Sequence, residues 1–294
     1  MSIFRNPVVL VSCLFGVLVT ACTAGSQGDD SDHSTVVSAK DFSLSRFEDS
    51  TEVNNKWFPL EPGTQWVYVG SALDEGEHVA RRVVSTVTDL TKEVAGLRTV
   101  VLWDRDYDDG ELVETELAFF AQDTDGNVWL LGEYPEEWED GEFDKAPAWI
   151  EGQKGAKAGL AMKAEARLGT PDYAQGFAPA PLYWDDRARV YKTGHRTCVP
   201  VDCYENVLVM EEFERRIPGA FQDKYYAPGV GGVRVAWHGA KEEEREELVL
   251  TALRRLNGES LVKVQEQALA LEKRAYEISE VYRATRPAVP RAHT

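Results

Sequence analysis

From Trp57 to about residue 253, apolar and β-branched residues come in short runs that alternate with polar positions, and turn-forming triplets separate the runs. Residues 66–69, 79–87, 97–103, 111–121 and 127–131 carry the period of two expected of strands with one buried face. Between them stand Asp74-Glu75-Gly76, Asp108-Asp109-Gly110 and Asp125-Gly126, and Glu139-Asp140-Gly141 follows. Acidic residues followed by glycine in such places close hairpins. A second series of strands is expected at 188–192, 205–212, 223–226, 233–237 and 247–253. Short strands at this spacing predict a mainly β domain over 55–256, an antiparallel meander curled into a half-barrel or barrel. Residues 145–185 carry Gly152, Gly155, Gly159, Gly169 and Gly176 with Pro171, Pro179 and Pro181, and read as long loops across one end of the sheet.

The period then changes. Leu261, Val264, Ala268, Leu271, Ala275, Ile278 and Tyr282 fall at spacings of three and four, on one face of a helix. Asn257 suits its N-cap and Pro287 its stop, so a C-terminal amphipathic α-helix is predicted over 257–284, with a tail at 285–294. Packing against the β-domain is the expected use of its face. A partner-binding or coiled-coil helix is the alternative, weakened by two alanines in the seam.

The chain starts differently again. Arg5 precedes an apolar run from Val8 to Val19, which ends in Val19-Thr20-Ala21-Cys22. The run is shorter than the roughly 20 residues a spanning helix takes, and small residues ahead of a cysteine suit a lipoprotein signal peptidase. Residues 1–21 read as a bacterial lipoprotein signal peptide and Cys22 as the lipidated N-terminus of the mature chain. Residues 22–54, polar and rich in Ser, Thr and Asp, then read as a flexible tether. The expected location is extracytoplasmic, lipid-anchored in the bacterial cell envelope, and in the outer membrane if the host is Gram-negative.

Charge narrows the partners. The formal net charge is −18, and loss of Arg5 with the leader makes it −19. Such a surface repels nucleic acid and anionic headgroups, so attachment to a membrane must rest on acyl chains at Cys22. Of the four cysteines, Cys13 leaves with the leader and Cys22 carries lipid. Cys198 and Cys203 remain, five residues apart, and in an oxidising compartment they predict a disulfide that staples a turn. A redox pair or half a metal site are the alternatives.

Three stretches carry a likeness. Asn55-Lys56-Trp57-Phe58-Pro59-Leu60-Glu61-Pro62-Gly63-Thr64-Gln65-Trp66-Val67-Tyr68 resembles the entry motif, N-x-x-F-P-L-x-P-G-T-x-W-x-Y, of a family of uncharacterised bacterial secreted proteins and lipoproteins. Residues 107–114 with 120–129 fit the same family, as does Lys224-Tyr225-Tyr226-Ala227-Pro228-Gly229-Val230-Gly231. The resemblance covers about residues 55–252. It implies one β-rich domain and brings no activity, cofactor or catalytic residue. Cys198, Cys203 and the C-terminal helix depart from the family pattern.

The chain carries candidate chemical groups but no catalytic signature. His33, His78, His195, His238 and His293 form no HxH, HExxH or HxxxH pair, so no metal or cofactor is expected, and surface positions are expected for His195 and His238. There is no Gly-x-Ser-x-Gly elbow and no P-loop. Asp123-Thr124-Asp125-Gly126-Asn127 has part of a calcium loop, but Gly132 stands where the bidentate acid belongs, and a hairpin turn is expected. Asp104 with Asp106, and Glu114 with Glu116, would each project from one strand face and suit general acid–base work, although ordinary alternation explains them too. The run 241–247, with five Glu, reads as a solvated loop or strand lead-in. Most of the eight Trp belong to a core, while Trp138 and Trp184 stand among charges and are the candidate ligand contacts. The expected function is a binding or carrier module for an apolar or amphipathic ligand. The alternatives are a carboxylate-dependent envelope hydrolase and a structural or assembly protein acting through the C-terminal helix.

Overall fold

The computed structural model describes residues 39–292 apart from Glu75 and Glu244. The leader, Cys22, the tether as far as residue 38, His33 and His293 lie outside the described residues.

The first half is an antiparallel meander of β1 (Thr64–Asp74), β2 (Glu77–Val94), β3 (Leu97–Asp108), β4 (Glu111–Gln122) and β5 (Val128–Glu139). Ala95-Gly96, between β2 and β3, and Asp109-Gly110, between β3 and β4, have positive φ at both positions (50° and 83°, 49° and 93°). That is the two-residue hairpin geometry whose twist matches the strands it joins. Asp140-Gly141 repeats it (51° and 79°) between β5 and the short β6 (Glu142–Lys145). β7 (Trp149–Ile150) and β8 (Lys157–Met162) then add to β5, where long loops were expected. β8 is buried at every residue after Lys157. Its central Gly159 lies so close to the chain at 175–176 that a Cβ would come within 2.2 Å of the Gln175 carbonyl carbon. The glycine there marks a close backbone approach rather than a loop.

β9 (Tyr173–Ala174) and β10 (Gly176–Phe177) follow, and a second antiparallel meander runs through β11 (Arg187–Cys198), β12 (Cys203–Phe213), β13 (Phe221–Ala227), β14 (Gly231–His238) and β15 (Glu247–Arg255). β15 pairs with β1 and joins the two halves into one sheet. β9 pairs with β11 at one end of that sheet, and β10 pairs with β8 at the other. Residues 173–177 therefore stitch the two edges together, and the sheet forms a nearly closed barrel. Closure removes the exposed strand edges that invite aggregation. Cys198 and Cys203 face each other in register at the β11–β12 tip and are joined by a disulfide.

The predicted helix is present as α1 (Gly258–Ile278), capped at Asn257, whose N–H donates to Ser260 Oγ at 3.3 Å. It turns Val264, Ala268, Leu271 and Ala275 into the same hydrophobic core as β2 and β4. Full burial of a Val or Leu is worth roughly 1.5–3 kcal/mol. Ser279 breaks the helix and caps α2 (Glu280–Arg283), whose Tyr282 packs edge-on to Tyr134 and against Phe119. Beyond Pro287 the chain is not a free tail, because β16 (Val289–Pro290) pairs with β2.

The tether expectation also needs correction for residues 39–54. Phe42 and Phe47 pack on Trp129, with ring centroids 5.5 and 6.3 Å away. The Gln122 and Thr124 N–H groups donate to the Ser50 and Arg46 carbonyls at 2.9 and 2.8 Å. Phe42 and Phe47, together with the buried Val53, dock this stretch, so residues 39–54 belong to the folded body.

Candidate functional site

The barrel encloses a cavity of about 290 Å³. Strand alternation decides what lines it. Along β3, Leu102, Asp104 and Asp106 point inward; along β4, Glu114, Glu116, Ala118 and Phe120 do so. The register places Asp104 opposite Glu116 and Asp106 opposite Glu114, so the two acidic pairs noted in the sequence meet on one wall. Glu133 of β5 faces Ala118 across the strand pair and extends that wall. Asp186, Glu212 of β12 and Glu246 complete a set of eight carboxyls, and Lys224 and Arg234 are the cations in the lining.

Like charges opposite one another in a sheet are destabilising, and removal from bulk water adds to the cost. The carboxyls respond as these effects require. Burial pushes Asp104 up to about 6, against a hydrogen bond from Ser85 and the charge of Lys224, which favour its ionised form. Burial pushes Glu133 up to about 7, despite the hydrogen bond from Trp149 Nε1 at 2.8 Å. Asp106, Glu114 and Glu116 stand well above the usual carboxylate range, through burial first and neighbouring carboxylates second. Asp186 does so as well, with Glu214 and Glu212 adding to burial. Lys224 Nζ donates to Glu212 Oε2 at 2.6 Å, and the surrounding carboxylates hold its ammonium well above the ordinary lysine range despite burial.

The remainder of the cavity lining is largely apolar. Phe58, Pro59, Leu60, Trp66 and Tyr68 meet Phe120, Tyr226, Gly231 and Gly232 there. Asn55 sets the entry turn, its Oδ1 accepting from the Trp57 and Phe58 N–H groups at 2.8 and 3.1 Å. Trp66 Nε1 donates to the Val230 carbonyl at 2.8 Å and Tyr68 Oη to the Gly232 carbonyl at 2.9 Å, which ties the first stretch to the last. Phe58 sits between Phe120 and Tyr226, with centroids 5.3 and 6.1 Å away.

The sequence-predicted residues separate clearly. Asp104, Asp106, Glu114 and Glu116 share the cavity. Trp184 lines it too, but as a buried wall residue stacked on Trp149 at 4.7 Å rather than a surface one, and its Nε1 has no hydrogen-bond partner. Trp138 points the other way, beneath the Arg274 guanidinium at 5.2 Å and edge-on to Phe143. Asp123 folds its carboxylate into its own turn, accepting from the Asp125 and Asn127 N–H groups and from Trp129 Nε1. Of the residues not singled out, Glu246 differs most from its expected solvated loop. It is buried and bonded to Arg81 at 3.4 Å, and Arg81 also makes a two-pronged contact with Asp108.

On the outer wall, Glu211, Asp223 and His238 offer three metal-ligand atoms within 4.8 Å of one another. His238 Nδ1 faces Asp223 Oδ2 and Nε2 faces Glu211 Oε1, each at 3.0 Å. The ring lies between Tyr191 and Phe221, with centroids at 5.1 and 4.7 Å. Because the two ring nitrogens address different carboxylates, the three groups do not converge on one point, and the arrangement is a hydrogen-bonded clamp across β12, β13 and β14. His195 packs by Tyr225, and His78 is exposed.

Fold and site together define a nearly closed antiparallel barrel with an acidic, half-apolar internal cavity. No family model and no curated protein matches the chain. Among solved structures, it is similar to a protein from Bacteroides fragilis designated as exported and as having a YmcC-like fold, at 15% identity over 68% of this chain and 99% of that one, with a TM-score of 0.37. It is also similar to a protein from Parabacteroides distasonis designated a lipoprotein, at 12% identity over 70% of this chain and all of that one, with a TM-score of 0.38.

Proposed function

We propose that this is an extracytoplasmic bacterial lipoprotein, anchored through acyl chains on Cys22, whose barrel binds a small amphipathic organic cation. One observation carries the ligand class: eight carboxyls and two cations line a single cavity whose remaining lining is largely apolar. A wholly apolar ligand would strip these carboxyls of solvent and return nothing, whereas a cation with an apolar body answers both halves of the wall. At about 290 Å³ the cavity lies at the small end of ligand sites, which run from roughly 300 to 1,000 Å³. The family resemblance fits this reading, because its stretches at 55–68 and 224–231 supply Phe58, Trp66 and Tyr226 to the apolar lining and Lys224 to the acidic wall.

The test is native mass spectrometry on a secreted Cys22→Ser form, with any occupant extracted and identified, followed by titration with amine probes. A stoichiometric amine, or saturable binding of amines, is expected. A neutral or anionic occupant, together with no response to amines, would overturn the proposal. Carboxylate-dependent hydrolysis is the second reading, favoured by Asp104 and Glu133 standing near 6 and 7 in one cavity. The same extraction separates the two, since a binding protein returns its ligand unchanged and a hydrolase returns cleaved products.

A further inference from the structure

The acidic wall has two halves, and Lys224 pairs with only one of them. In the first, Lys224 is bonded to Glu212, and its ammonium also acts on Asp104, Glu133, Asp186 and Glu246. In the second, Asp106 and Glu114 face one another across β3 and β4, and Glu116 is the next inward residue along β4, beside Glu114. Burial and other carboxylates dominate Glu114 and Glu116, and among the described residues neither has an ion-pair partner. Glu114 is 6% exposed and lines the cavity, yet its Oε2 has no hydrogen-bond partner. Arg81 acts on Asp106, but its guanidinium is already held by Asp108 and Glu246.

Resting on the cation-binding reading above, we infer that Asp106, Glu114 and Glu116 form the subsite for the ligand's ammonium group, and that Lys224 is a resident ammonium filling the other half. The ligand is then a monoammonium amphiphile. Its charge meets Glu114 and Glu116, and its body runs along β4 toward Phe120, about 13 Å from Glu116 at the rise of a strand. A dication would compete with Lys224 for the same carboxylates. Removing the lysine's charge should therefore change which ligand is preferred.

Calorimetry at pH 7 on the mature Cys22→Ser chain tests this with n-octylammonium, its neutral isostere 1-octanol, and 1,8-diaminooctane. The unmodified cavity should prefer octylammonium to octanol by about tenfold or more. Glu114→Gln with Glu116→Gln, nearly isosteric and relieved of mutual repulsion, should lose that preference. Lys224→Met should shift the preference to the diamine by about tenfold. Folding of each variant is checked by circular dichroism, and Glu116→Gln alone serves if the double variant does not fold. Amine binding that the glutamine substitutions leave unchanged would overturn the subsite while leaving the cation-binding reading intact. Amine binding in which Lys224→Met fails to favour the diamine would overturn the assignment of Lys224. Failure of both amines to bind any folded variant would overturn the reading itself, and the subsite with it.

Discussion

Asp104 and Glu133 are the residues at which the cost of the cavity is most directly measurable. Their unfolded values are near 4, and burial raises them to about 6 and about 7 in the fold. The native state therefore binds more protons than the unfolded state between roughly pH 4 and pH 7. Stability from these groups is fully present below pH 4 and is lost as pH rises through their folded values. The empty protein should melt several degrees lower at pH 8 than at pH 5 in differential scanning fluorimetry. Asp104→Asn with Glu133→Gln should flatten that slope. A melting temperature that rises over this range would refute the assignment. At this scale the sequence was partly legible. Residues two apart on a strand share a face, so Asp104 with Asp106 and Glu114 with Glu116 were readable as pairs. Lys224 and Glu246 were not, because their approach to that wall depends on how the sheet curls, and no local pattern encodes it.

Among the elements, α1 is fastened by a buried ion pair as well as by its apolar stripe. Lys92 is fully buried in β2, and its Nζ donates to Glu272 Oε1 at 2.8 Å, to Tyr276 Oη at 3.0 Å and to the Arg286 carbonyl at 2.7 Å. Glu272 also accepts from Tyr282 Oη and from the Ala288 N–H. Lys92→Met should destabilise the protein by about 3–5 kcal/mol, because it leaves a buried carboxylate without its counter-charge. Adding Glu272→Leu should recover only part of the loss, since it removes the unpaired charge but also leaves the Tyr282 hydroxyl and the Ala288 N–H without their acceptor. Urea midpoints of the two variants check this, and equal midpoints would show that the pair does not fasten the helix. The helix itself was plain in the sequence, because a spacing of three and four over six intervals has few alternatives. The strands with regular alternation were equally plain. β8 was hidden by Gly159, whose lack of a side chain permits close approach to residues 175–176 and looks, in one dimension, like a loop signal. The docking of residues 39–54 was hidden for a related reason: two phenylalanines in a polar stretch reveal their use only once Trp129 is placed beside them.

For the whole molecule, closure of the sheet and the chemistry of its interior are one problem. Residues 173–177 bond to both edges and shut the barrel around carboxyls that an open sheet would leave in water. Shutting them in raises their proton affinity, and any cation that enters must lower it again. Asp104 and Glu133, standing near 6 and 7, therefore carry protons in part near neutrality when the cavity is empty, and they release them when an ammonium or other organic cation binds. Binding should strengthen as pH rises from about 5 to about 8, because fewer protons remain to be displaced. The apparent enthalpy should also depend on the ionisation heat of the buffer, with the sign of net proton release. A bare electrostatic attraction to the acidic surface would behave differently, weakening steeply with salt and exchanging no protons with the buffer. Calorimetry of n-octylammonium in phosphate and in Tris at one pH, repeated at high ionic strength, therefore distinguishes binding inside the barrel from adsorption outside it. Net proton uptake, or equal enthalpies in the two buffers, would place the cation outside the carboxyl-lined cavity.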